Sequence, residues 1–182
     1  MKTFCALVAA IATCLGCESS DRKADPQPYE DIESAIEALA TLDDIWEASA
    51  AAKQIYSGGV PAIEALRSYL DDDRVIPSGL CSRSFNSREV TLGEQAMWTI
   101  QDMIEVDLPK VYDNSYYVLS NENVEQWLDK RKGMTMTELE IEAATAQLNQ
   151  AKQQMEAGDR YANDAVRIIE DRLAELKRMI KD

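Results

Sequence analysis

The sequence predicts an all-α protein, an irregular stack of helical hairpins with a long helical hairpin at its C-terminal end. From Tyr29 onward apolar residues recur at helical spacing, and almost nowhere do they alternate as a half-buried strand requires. Thr91 to Glu94 and Thr135 to Glu138 each match a capping box, in which hydroxyl and carboxylate satisfy orphan amides of a first helical turn. Two apolar seams of similar length then flank Gly158-Asp159.

Taken in order, Ile32, Ile36 and Leu39 line one face of a first helix. Thr41 is expected to cap a second, whose apolar face carries Ile45, Ala48, Ala52 and Ile55 with Trp46 and Tyr56 beside it. Gly58-Gly59 ends that helix, and Pro61 opens a third bearing Ile63, Leu66 and Leu70, at a position where a missing amide donor costs nothing. Two antiparallel helices joined by two glycines make a tight hairpin. Asp71 to Val90 has glycine and proline breakers and no helical period, so it reads as an exposed loop of unusual length.

The next helix carries Ala96, Met97, Ile100, Met103 and Ile104, with Trp98 flanking. Asp107 to Ser120 is irregular and tyrosine-rich, and Asn121 to Lys132 forms a helix packing Val124, Trp127 and Leu128, closed by Gly133. Ile141, Ala144, Leu148, Ala151 and Met155 form the first C-terminal seam; Val166, Ile169, Leu173, Leu176 and Ile180 form the second. The phase slips between them at a glycine followed by a good cap residue. That favours an antiparallel hairpin over one long kinked helix, although a glycine inside a helix costs only about 1 kcal/mol and decides nothing by itself.

Composition bounds the chemistry. The 182 residues suffice for one domain with a sizeable core, and a 46% apolar, 29% charged composition is ordinarily globular. A formal net charge of −14 repels anionic polymers and anionic lipid, so nucleic acid is not an expected partner. The chain has no histidine, which excludes imidazole-activated serine or cysteine nucleophiles and His-ligated zinc. No cofactor-binding or metal-binding pattern is found.

The N-terminus has the order of an export signal: Met1-Lys2, an apolar run from Phe4 to Leu15, then Gly16 before Cys17. The run spans about 12 residues against the roughly 20 of a membrane-crossing helix. Cys14-Leu15-Gly16-Cys17 resembles the lipobox of bacterial lipoproteins, which implies a diacylglycerol on the Cys17 thiol, cleavage on its N-terminal side and a place in the cell envelope. Several acyl chains retain a protein on a membrane where one does so only marginally. Glu18 to Pro28 is polar and proline-punctuated, a tether. Four segments are therefore expected: a signal peptide at 1–16, a lipidated tether at 17–28, a helical domain at 29–133 and a helical hairpin at 134–182.

Leu42 to Leu70 followed by Asp71-Asp72-Asp73-Arg74-Val75 resembles a unit of the HEAT family of helical repeats, which pair two helices, place proline near the start of one and carry aspartate and arginine in the turn. Val90 to Ile104 and Glu122 to Gly133 resemble segments of exported bacterial proteins with HEAT-like helices. The likeness covers the middle half of the chain and implies a binding surface built from stacked hairpins, with no catalytic residues.

Four further features invite a function. Asp71, Asp72 and Asp73 have carboxylates to offer a cation or an acid–base pair, but lack the alternating ligands of a calcium loop and read as solvated helix-end residues, with a repeat-stabilising pair to Arg74 as the alternative. Cys81, near Arg83 and Arg88, is the one cysteine of the body and reads as an unpaired thiol. Tyr112, Tyr116 and Tyr117 form the densest aromatic cluster, suited either to core and rim packing or to a partner. Arg160, Arg167, Arg172, Lys177, Arg178 and Lys181 make the last helix the least acidic part of the chain, interleaved with Asp164, Glu170, Asp171 and Glu175.

These readings converge on a non-catalytic module, anchored through Cys17, that binds other envelope proteins. The alternatives are an envelope enzyme using paired carboxylates or Cys81, and a homo-oligomer assembled through residues 138–181.

Overall fold

The structure, a computed structural model, describes residues 29–42, 45–77, 89–105 and 124–180, with the backbone alone at 45 and 46. Its helices are α1 (Ile32–Thr41), α2 (Ile45–Ser57), α3 (Gly59–Arg67), α4 (Leu92–Ile104), α5 (Val124–Asp129), α6 (Met136–Glu156) and α7 (Ala162–Met179). A two-residue antiparallel pair, β1 (Val75–Ile76) and β2 (Val90–Thr91), completes the described elements. The all-α class is what the apolar periodicity predicts.

The carboxylate of Asp31 starts α1 by accepting from the Ser34 amide at 2.7 Å, and the helix then runs through Thr41. Thr41 therefore does not cap a second helix: its hydroxyl donates back to the Ala38 carbonyl at 3.2 Å, a local bond that competes with capping. The side-chain amide of Gln54 accepts from the Tyr29 amide (2.8 Å) and donates to the Tyr29 carbonyl (2.9 Å), fastening α2 to the entry of α1. In α2 the buried stripe is Ala48, Ala51 and Ile55; Ala52, read as core-facing, is half-buried one step round the helix.

The ends of the segment expected to be an exposed loop, Asp71 to Val90, are structured. Val75 pairs with Thr91 and Ile76 with Val90, and the Ile76 and Val90 side chains are buried while Val75 faces solvent. These β-branched pairs favour extended backbone but are too short to display an alternating pattern. The ladder feeds directly into α4. There the Leu92 amide donates to the Arg74 carbonyl (2.8 Å) and the Gly93 amide to the Asp72 carbonyl (2.9 Å), while Thr91 and Glu94 form the expected capping box.

The larger core joins α1 to α5 and one face of α6. Ile36, Ile55, Ile63, Leu66, Leu92, Ile100, Ile104 and Val124 are fully buried in it, each worth about 1.5–3 kcal/mol of transfer free energy. Leu139 and Ala143 of α6 belong to this core, whereas Ala144 and Ala151 belong to a second one shared with Ile169 and Leu173 of α7. Successive helical residues diverge by about 100°, so the adjacent alanines Ala143 and Ala144 let one helix serve two packing partners.

Helices α6 and α7 form a hairpin, turned at Ala157 to Tyr161 with Gly158 in the left-handed region (φ +92°). Thr135 and Glu138 supply its capping box, and the Arg172–Glu140 (3.0 Å) and Lys152–Glu170 (2.9 Å) ion pairs cross between its arms. Ile180, read as the end of the seam, is instead 54% exposed, just beyond the end of α7 at Met179.

Candidate functional site

A shallow concave feature lies where the α5–α6 connection meets the end of α7. It is an open groove of about 450 Å³. It is lined by Trp127 of α5, Met134, Ile141, Thr145 and Asn149 of α6, and Ile180. These residues converge for local reasons. Gly133 takes a positive φ (+89°), which turns the chain from α5 into the Thr135 cap, and the hairpin then returns α7 to the beginning of α6.

Arg131 organises the groove. Its guanidinium stacks over the Trp127 ring at 4.1 Å from the centroid, donates to the Trp127 carbonyl at 3.0 Å and forks onto Glu142 at 2.6 and 3.0 Å. Glu138 lies on the same rim, but its carboxylate accepts from the backbone amide and hydroxyl of Thr135, which hold it below the ordinary carboxylate range. The result is an open, largely apolar depression bordered by a stacked aromatic–guanidinium pair and by carboxylates that already have partners.

A second polar constellation joins α1 to the turn after α3. Arg74 forks onto Glu37 (2.7 and 3.1 Å) and onto Asp72 (2.6 and 3.0 Å). The guanidinium holds both carboxyl groups below their ordinary values, and the two carboxylates raise Arg74 in turn. Asp72 is thus a structural partner, while Asp71 and Asp73 face solvent. Among the described residues no group of three or more acidic or cysteine side chains is placed to hold a metal ion.

Cys17, Cys81, Tyr112, Tyr116 and Tyr117 lie outside the described residues. The C-terminal cations divide: Arg172 pairs with Glu140 and Glu175, Arg167 lies 3.9 Å from Asp164, and Arg160 stacks on the Tyr161 ring, but Lys177 and Arg178 make no salt bridge among the described residues. The apolar periodicity puts Trp127, Ile141 and Ile180 on apolar faces but does not show that they meet. The available signal is the spacing of Trp127 and Arg131, four residues apart across the end of a short helical stretch, beside a glycine turn. No helix among the described residues is long and apolar enough to cross a membrane.

No protein-family model matches the sequence, and comparison with curated proteins and with solved structures returns no match. The described fold defines an all-α protein.

Proposed function

We propose that this chain is an exported bacterial lipoprotein, lipidated at Cys17, whose HEAT-like stack of helical hairpins binds other proteins of the cell envelope and performs no chemistry. The observation that carries the reading is the order at the N-terminus: a short positive start, an apolar run too short to span a bilayer, Gly16-Cys17 and a polar tether. Helical layers passing from α1 to α3, through α4, to the α6–α7 hairpin support the repeat-like part, and the Trp127–Arg131 groove supports a binding role. Tyr112, Tyr116 and Tyr117 are proposed as a second contact region.

Neither alternative gains support from the described residues. Asp72 is engaged by Arg74, and the seams that would drive self-association, Ala144 and Ala151 against Ile169 and Leu173, are occupied within the chain.

A photocrosslinking residue at Asn149, exposed on the groove, tests the binding role in cells against the same residue at Glu47, exposed on α2. Discrete adducts with envelope proteins are expected from position 149. They are expected to weaken when Tyr112, Tyr116 and Tyr117 are changed to serine. Equal adducts from 149 and 47, unchanged in the serine variant, contradict the assignment.

A further inference from the structure

We propose that the end of the α6–α7 hairpin where α7 terminates docks onto an anionic phospholipid surface. The chain as a whole is strongly acidic, so cations gathered at one place matter. Four described lysines are exposed, and three of them, Lys130, Lys132 and Lys177, lie at this end. The fold brings them together from segments more than forty residues apart: the turn that carries Lys130 and Lys132 precedes α6, and the antiparallel hairpin returns Lys177 and Arg178 to the same level. Ile180 sharing a groove with Trp127, Arg131 and Met134 fixes that proximity.

None of Lys130, Lys132, Lys177 and Arg178 makes a salt bridge among the described residues. Most neighbouring acids have other partners: Asp129 is held by Arg67 (2.6 Å), Glu142 by Arg131 (2.6 Å) and Glu138 by the Thr135 cap, while Glu175 is bonded to Arg172 (2.8 Å) and also feels Arg178. Met179 and Ile180, the most and second most exposed of the large apolar side chains at 59% and 54%, follow Lys177 and Arg178 directly in the chain. Exposed aliphatic groups flanked by long cationic side chains, with a tryptophan adjoining, suit the boundary between lipid headgroups and acyl chains. There the cations meet phosphates and the aliphatic tips enter. An acidic polypeptide would satisfy the charges but gives no reason for Met179 to stand exposed beside them. For a body tethered near a bilayer, such a tip sets its orientation and turns the acidic remainder outward, and it does so without acylation.

The test uses the full chain carrying Cys17→Ser and reads lysine acetylation by mass spectrometry in the presence of vesicles. With about one-third phosphatidylglycerol in phosphatidylcholine, acetylation of Lys130, Lys132 and Lys177 is expected to fall about fivefold relative to pure phosphatidylcholine, with Lys53 unchanged. Protection is expected to disappear at about 0.5 M sodium chloride. It should also weaken several-fold in Met179→Ser/Ile180→Ser, which keeps every charge. Arg178→Gln, exposed and outside both cores, is expected to weaken protection of the three lysines without changing the circular dichroism. Protection equal at Lys53 and at the tip, or equal on both vesicle types, overturns the proposal. Equal protection by polyglutamate, insensitive to the Met179 and Ile180 changes, also overturns it and assigns the tip to an acidic polypeptide. Lipid incorporation at Cys17 is read separately, so failure of the tip and failure of the anchor are distinguishable.

Discussion

Gln147 lies one turn beyond Ala143 and Ala144 on α6 and one turn before Ala151, 2% exposed, with its side-chain carbonyl oxygen unpaired among the described residues. A buried acceptor without a donor costs about 1–3 kcal/mol, and leucine has a similar volume without the polar atom. Gln147→Leu is therefore expected to raise the thermal midpoint by about 2–4 °C, read by calorimetry; a lower midpoint would show that the amide has a role in the hairpin. Arg74 works in the opposite sense. Glu37 and Asp72 are held below their ordinary values of 4.5 and 3.8 by its guanidinium, so their contribution is present above those values and is lost as pH falls through the lowered ones. Urea midpoints measured down an acid series should fall less steeply in Arg74→Gln, and the difference should shrink in salt because the triad is solvent-exposed.

At the scale of elements, the junction of β2 and α4 rests on Gly93. A β-carbon there would stand 2.4 Å from the Leu70 carbonyl oxygen, and no flexible side chain is available to give way. Gly93→Ala is expected to cost about 1–3 kcal/mol in urea denaturation; a neutral result would mean that α4 docks on the 70–74 turn less tightly than its amide bonds indicate. Within the hairpin, burial raises Glu140 above the ordinary carboxylate range while Arg172 partly lowers it. A raised carboxyl favours the fold below its unfolded value and loses that contribution as pH rises through the folded one, so the ionised group depends on its partner. Arg172→Met should destabilise by about 1–2 kcal/mol at neutral pH, with most of the loss recovered by adding Glu140→Gln. The seams of α6 and α7 and both capping boxes were legible because each is a local pattern. The β1–β2 pair was not, since two residues a side carry no period, and neither was the use of Leu139 and Ala143 against α4, which depends on what stands opposite. The groove is not legible for a related reason: it joins Trp127 to Ile180 through a hairpin whose closure no local pattern states.

For the molecule as a whole, net charge, lack of histidine and the first seventeen residues bear on function more than any described side chain does. If the body works at an acidic membrane surface, as proposed, it needs a reason to stay there; acyl chains at Cys17 would supply one, with the α7 end as a candidate second contact. The most direct measurement is the intact mass and N-terminal peptide of the chain isolated from cell membranes. The expected product begins at Cys17, carries the mass of its acyl groups and disappears from the membrane fraction in Cys17→Ser. A chain that begins at Met1, bears no lipid and stays in the soluble fraction would contradict the account.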